Sequence, residues 1–224
     1  MRGFLRQNSL SIFFGVILLA ALAGQALAGM AEFNNDQLTG GFATVSLGRY
    51  LTSSDFAVDV TENWQSEYLQ FLLFVIATVW LVQRGSPESK ALGNQGTESD
   101  REQQVGRYAT SQSPRWAQVG GWRTALFSRS LGTVMGAIFL GSWLAQSIAG
   151  RAAFNAEQLG ELHDTVSWGG YVTSADFWSR SLQNWQSEFL AVGSMVVLSV
   201  YLRQRGSPES KPVGAPHQST GVSG

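Results

Sequence analysis

The feature that most constrains this chain is that it carries one long pattern twice. Asn63-Trp64-Gln65-Ser66-Glu67, an apolar run and Gln83-Arg84-Gly85-Ser86-Pro87-Glu88-Ser89-Lys90 return as Asn184-Trp185-Gln186-Ser187-Glu188, an apolar run and Gln204-Arg205-Gly206-Ser207-Pro208-Glu209-Ser210-Lys211. The offset is 121 residues at both ends, and 22 of 41 positions from Tyr50 to Lys90 are identical to their counterparts without a gap. The apolar run has kept its length while its residues drifted. That behaviour suits a helix matched to the thickness of a membrane, with its outer and inner ends specified.

The same offset reaches upstream, where Ser9-Leu10 matches Ser130-Leu131, Gly15 matches Gly136, Gln25 matches Gln146 and Ala28-Gly29 matches Ala149-Gly150. Met1–Ala28 has the outline of a secretory signal, with Arg2 and Arg6 ahead of an apolar run and Ala26-Leu27-Ala28 as a small-residue site. An internal copy cannot be a signal peptide, so the first copy is expected to be a retained helix. Leu10–Ala28 and Leu131–Ala149 are each about 19 residues, or about 28 Å as helix, close to the hydrocarbon thickness. Gly15 and Gly24 in one copy, and Gly136 in the other, fall on small-residue faces that would let helices approach closely. Gln25 and Gln146 would hydrogen-bond across such a contact.

Between the spans of each half lies a polar connection, Gly29–Leu51 or Gly150–Val172, that keeps Phe-Asn-x-x-Gln-Leu and Thr-Val-Ser-x-Gly-x-Tyr. Its Gly and Asn content predicts turns around one short helix. It reads equally as a binding surface or as a lid on the helix ends. Thr52-Ser53-Ser54-Asp55 and Thr173-Ser174-Ala175-Asp176 fit a capping box that opens a long second helix. That helix is expected to reach Arg84 or Arg205, with a break near Asn63 as the alternative. Trp64 and Trp80, like Trp185 and Tyr201, bracket its apolar part as interfacial anchors. Arg84-Gly85-Ser86-Pro87 is expected to end it, with Gly85 as a left-handed cap and Pro87 as a stop. This accounts for Arg-Gly-Ser-Pro and leaves the repeated Glu-Ser-Lys without a role.

The chain therefore divides into a first membrane hairpin (1–90), a flexible Gly/Ser/Thr/Gln-rich linker (91–121), a second hairpin (122–211) and a disordered tail (212–224). With four spans, the terminal segments and the linker hold 12 Lys and Arg against 3 on the opposite side. The excess places both termini in the cytoplasm. Eleven of the 16 acidic residues fall on the outer side. Both halves share one orientation, as in parallel-repeat membrane proteins.

Chemistry is sparse. A net charge of −1 argues against nucleic acid, and the absence of cysteine removes disulfides and thiolate metal sites. Nucleotide-binding loops, serine-hydrolase elbows and H-E-x-x-H are missing, and only two histidines occur, on opposite sides of the expected membrane. No cofactor and no enzymatic activity are expected. Glu67 and Glu188 stand one turn from an apolar span, with Asn63 or Asn184 four residues earlier on the same face and Trp64 or Trp185 beside them. A carboxylate near hydrocarbon is costly and hints at function, though one at the headgroup boundary stays hydrated.

Phe-Asn-x-x-Gln, Tyr-[Leu/Val]-Thr-Ser-x-Asp-Phe, Asn-Trp-Gln-Ser-Glu-[Tyr/Phe]-Leu and Gln-Arg-Gly-Ser-Pro-Glu-Ser-Lys together make the chain resemble a family of bacterial integral membrane proteins, domain-of-unknown-function family 6766. The resemblance covers nearly the whole chain outside the linker. It implies a bacterial cytoplasmic membrane protein and brings no substrate or catalytic residue. The expectation is an all-α, polytopic membrane protein: four transmembrane helices as two tandem hairpins in the lipid bilayer. Its partner would be a second copy or another membrane protein. The alternative is a small oligomeric transporter or channel using Glu67 and Glu188.

Overall fold

The computed structural model describes residues 2–223. Met1, where the expected first hairpin opens, and Gly224, where the expected tail ends, lie outside the described residues. Nine α-helices and one short 3₁₀ turn (Gly106–Tyr108) are present among the described residues, and no strand. The helices are α1 (Arg2–Gln7), α2 (Ser9–Thr39), α3 (Leu47–Leu51), α4 (Ser54–Trp80), α5 (Arg115–Gln118), α6 (Gly121–Phe127), α7 (Ser130–Gly160), α8 (Trp168–Val172) and α9 (Ala175–Tyr201). The bounds of α7, α8 and α9 fall 121 positions after those of α2, α3 and α4. Two compact units form, residues 1–61 with 145–172, and residues 62–144 with 173–224.

Among the described residues, α2 and α7 are the two helices long and apolar enough to cross a membrane. Only 6% of the most apolar stretch of α2 is buried within the chain, and 17% of that of α7. Leu10, Phe13, Phe14, Val16, Ile17, Leu18 and Leu19 all lie open on α2. A helix that is apolar all round and uncovered is suited to lipid. α4 and α9 do not reach that standard, because Asn-Trp-Gln-Ser-Glu lies inside each of them.

In the first unit, the polar connection behaves differently from the expected series of turns. α2 runs on through Gly29 to Thr39, and α7 through Gly150 to Gly160. Propensity would place a turn at these glycines; tertiary packing explains them instead. A Cβ on Gly29 would fall on the Tyr50 hydroxyl, and one on Gly150 on the Tyr171 hydroxyl. Both tyrosines are buried, against Phe33 at 5.7 Å and Phe154 at 5.6 Å between ring centroids. One turn further, the Asn34 carboxamide closes on the backbone of Val45: Val45 N–H donates to Oδ1 at 2.7 Å and Nδ2 donates to the Val45 carbonyl at 3.0 Å. Asn155 makes the same clamp on Val166 at 2.8 and 3.0 Å. The helix has to continue for Phe33 and Asn34 to reach these partners. The connection is thus a lid built on the helix end, with α3 or α8 as its one short helix.

Capping of the second helices is shifted by one residue from the expected box. Ser53 Oγ accepts from Phe56 N–H at 3.2 Å, and Ser174 Oγ accepts from Phe177 N–H at 3.3 Å. Thr52 instead turns its hydroxyl back onto the carbonyls of Gly48 and Arg49. α4 is unbroken at Asn63, but it ends at Trp80 rather than Arg84, as α9 ends at Tyr201 rather than Arg205. Gly85 does take positive φ (91°), yet it does so in a turn beyond the helix.

The second unit holds these turns. The stretch expected to be a flexible linker forms turns, the 3₁₀ turn and α5. The segment expected to be a disordered tail has a defined path, because it is tied to the turn at residues 84–86. Gly85 N–H donates to Thr220 Oγ1 at 2.8 Å, and Gly221 N–H donates to the Ser86 carbonyl at 3.0 Å.

Candidate functional site

Two places in the second unit gather the residues that the sequence singled out. The first lies where α4 and α9 pair. Trp185 Nε1 donates to Gln65 Oε1 at 2.8 Å, and the Glu188 carboxylate reaches the Ser66 hydroxyl with Glu67 within Coulombic range. Glu67 is exposed, while Glu188 is half-buried. Asn184 is half-buried and donates to the Arg180 carbonyl at 3.0 Å, whereas Asn63 and Trp64 are exposed.

The two copies of the motif are not equivalently placed. Gln65 is fully buried and Gln186 exposed. Trp185 packs its ring 5.7 Å from Trp143, which stacks on Phe139 and Phe177. Trp143 Nε1 donates to the buried Ser181 hydroxyl at 3.3 Å. Copy divergence has a local reason as well. Asp59 corresponds to Arg180, and Arg180 Nη1 lies 3.3 Å from Glu62 Oε2 and its Nε 3.6 Å from Asp176 Oδ2. A reversal of charge between copies supplies the ion pair between α4 and α9.

The expected packing glycines divide. A Cβ on Gly136 would meet the Leu72 methyls at 3.7 and 3.8 Å, ordinary contact, so Gly136 lies beside α4 without its small size being required there. A Cβ on Gly15 or Gly24 would meet nothing within 4 Å, so neither packs against another part of the chain. Gln25 is half-buried. Gln146 is fully buried, and neither polar atom of its carboxamide has a hydrogen-bond partner among the described residues, contrary to the expected bond across a helix contact. Its neighbour Ser147 accepts from Trp168 Nε1 at 3.0 Å, and that bond to α8 takes the place foreseen for Gln146.

The second place is the turn after α4 and its counterpart after α9. Here the repeated Glu-Ser-Lys finds its role. Ser89 Oγ accepts from Gln83 N–H at 2.8 Å, and Ser210 Oγ from Gln204 N–H at 2.9 Å. Glu88 N–H donates to Ser86 Oγ, as Glu209 N–H does to Ser207 Oγ. Lys90 reaches six residues on, to the Gly96 carbonyl at 2.6 Å, and Lys211 likewise to the His217 carbonyl at 2.8 Å. Each motif is a self-contained turn closed by its own serine and lysine. The fully buried Lys211 also donates to the Gly85, Pro216 and Ser219 carbonyls, linking the second turn to the first. Burial, then the hydrogen bond from Glu209 and its negative charge, push the Glu88 carboxyl up to about 7. A polar groove of about 690 Å³ runs beside Glu88, lined also by Lys90, Glu98, Glu102 and Thr220. Among the described residues, no group of three or more His, Cys, Asp or Glu is arranged to hold a metal ion.

Residues 1–222 match the family described as Domain of unknown function (DUF6766). The chain belongs to that family. No curated protein and no solved structure matches it. The DUF6766 match spans both copies of the pattern and the linker, so the tyrosine lids and both lysine-closed turns lie within the family's own extent. Sequence reasoning left out Gln65, Ser66, Tyr50, Tyr171, Asn34 and Asn155. Every one of them sits in a motif present in both halves, and that recurrence was the available signal.

Proposed function

We propose that this DUF6766 chain is a four-span protein of a bacterial cytoplasmic membrane, built as two tandem hairpins with both termini and the linker in the cytoplasm. Its role is non-enzymatic, as a structural or partner-binding component of the membrane. The observation that carries the reading is the uncovered apolar surface of α2, which only lipid or another membrane helix would satisfy. α4 and α9 join as spans through their uncovered Phe71, Leu73, Ile76, Phe189, Leu190 and Val197 and their bracketing aromatic residues. The bias of positive residues, 12 against 3, supports the orientation. A non-enzymatic role is favoured because the repeated motifs are occupied by clamps, caps and turns within the chain.

The lack of cysteine makes a direct test available. Leu162→Cys, at a position 93% exposed in the outer connection, and Gln112→Cys, exposed in the linker, are labelled in whole cells with a membrane-impermeant maleimide. Label on Leu162→Cys alone, with Gln112→Cys reacting after permeabilisation, is the expected result. The reverse pattern, or recovery of the chain without detergent in the soluble fraction, refutes the topology. Cross-linking through exposed positions of α2, such as Leu19, is expected to trap a second copy or one membrane protein; a monomer under all conditions removes the partner role.

A second reading has one observation in its favour. Glu67 and Glu188 lie within Coulombic range beside Ser66, as a small transporter or channel for cations would need. Replacing both by Gln and measuring flux in liposomes tests it, and unchanged flux removes their part.

A further inference from the structure

The stretch just ahead of α7 gathers large apolar side chains on the outside of the chain. Trp116, Val119, Trp122, Leu126 and Phe127, on α5, α6 and the turn between them, are all exposed. Residues two apart lie on opposite sides of a helix. Thr124 is the one residue of α6 that is not exposed, and its Oγ1 donates to the Trp116 carbonyl at 2.6 Å. Trp122 and Leu126, two before it and two after, therefore face away from the chain, and Trp116 joins them with its ring 6.2 Å from that of Trp122. Charge here has a single sign. From Gln103 to Ala156 there is no aspartate or glutamate, while Arg107, Arg115, Arg123 and Arg129 precede α7. The acids before this stretch are taken up elsewhere: Glu98 and Asp100 share a cavity of about 760 Å³ with Arg129, and Glu98 pairs with Lys90. Arg115 and Arg123 do not line that cavity, and among the described residues neither forms an ion pair. The Arg123 guanidinium lies 5.5 Å from the centre of the Trp122 ring.

Position names the occupant of this face. α6 ends at Phe127 and α7, one of the two helices of membrane length, begins at Ser130. So short a connection reaches at most about 11 Å, which holds the patch at the mouth of that helix. The first copy has the same arrangement: α1 stops one residue before α2, with Phe4 and Leu5 exposed and Arg6 in its last turn. Tryptophan beside arginine suits the headgroup boundary, where the rings meet hydrocarbon and the guanidinium groups meet phosphate. We infer that α5 and α6 form an interfacial anchor laid on the anionic lipid of the cytoplasmic leaflet, with Trp116, Trp122 and Leu126 at the headgroup boundary and Arg115 and Arg123 on lipid phosphates. This rests on the membrane reading above and adds a lipid class to it. A peripheral helix of this kind is held by buried apolar area together with attraction to anionic lipid, and each arginine near such a surface strengthens attachment about fivefold.

Single probes test it, because the chain has no cysteine of its own. Ala125→Cys, exposed on α6, Leu140→Cys, exposed on α7, and Gln112→Cys, exposed in the linker, each carry a fluorophore in the full chain. The proteins are reconstituted in vesicles of phosphatidylcholine, alone or with one third phosphatidylglycerol, and quenched by a spin-labelled lipid or by iodide in the water. The Ala125 probe is expected to be quenched by lipid like the Leu140 probe, and the Gln112 probe by iodide. Phosphatidylglycerol should raise lipid quenching at Ala125 by about twofold or more, and Arg115→Gln with Arg123→Gln should abolish that rise while Leu140 is unchanged. Ala125 in water with Leu140 in lipid overturns the anchor and leaves the spans standing; Leu140 in water overturns both. An Ala125 probe shielded from both quenchers marks contact with a second copy or another protein and overturns the anchor too. A rise that survives loss of both arginines overturns the assignment to anionic lipid.

Discussion

Substitution of Gly150 by alanine tests the tyrosine lid, and a neighbour on the same helix provides its reference. A Cβ at Gly150 would fall on the Tyr171 hydroxyl and 3.0 Å from two carbons of its ring, Cε1 and Cζ. Tyr171 is fully buried against Phe154, so the ring has little room to withdraw. Overpacking of this kind costs about 1–3 kcal/mol. Alanine also gains up to about 1 kcal/mol of helix propensity over glycine, which would mask part of the loss. Gly141 removes that ambiguity: it lies on α7 too, and a Cβ there meets nothing within 4 Å. The difference between Gly150→Ala and Gly141→Ala therefore isolates the clash. For a chain of this size, about 1–3 kcal/mol lowers the melting temperature by about 2–12 °C. Thermal unfolding of both variants in one detergent measures it, with Gly29→Ala, against Tyr50, expected to follow Gly150→Ala. A Gly150→Ala protein that melts with Gly141→Ala or above it would refute the lid.

Asn155→Ala removes both bonds of the clamp on Val166 and is expected to cost about 1–3 kcal/mol, read as faster hydrogen exchange at Val166 and across α8. Ser174→Ala deletes the cap of α9 and should cost about 1 kcal/mol in thermal unfolding, as Ser53→Ala should for α4. Lys211→Met leaves the carbonyls of Gly85 and His217 without their donor, so residues 212–223 should become cleavable by added protease while the helical circular dichroism is kept. Arg180→Asp restores the charge of the first copy opposite Glu62 and should cost about 1 kcal/mol at low salt, with less effect at high salt because the pair is part-exposed.

Much of the helical architecture was readable because length and periodicity set it. The long apolar helices α2 and α7, the short helices α3 and α8 and the start of α4 and α9 near the Thr-Ser pairs follow from composition and spacing. The errors share a cause, since local propensity was overridden by contacts far along the chain. Gly29 and Gly150 suggested turns, but their lack of a side chain serves a tyrosine some twenty residues later. Arg84-Gly85 suggested a helix cap, but Ser89 draws the Gln83 backbone away and the helix ends sooner. At the candidate site, the repeat drew attention to Asn-Trp-Gln-Ser-Glu and Glu-Ser-Lys. It could not reveal that Gln65 is inside and Gln186 outside, because symmetry of sequence does not require symmetry of burial.

The pairing of Arg180 with Glu62 bears on how a doubled chain of this kind can change. With arginine standing where the other half keeps Asp59, the halves are no longer spare parts for each other. A protein assembled from two first halves would set an aspartate opposite Glu62 and so bring like charges together at that crossing. The two copies of the pattern are otherwise alike in outline; this one reversal commits each to its own seat.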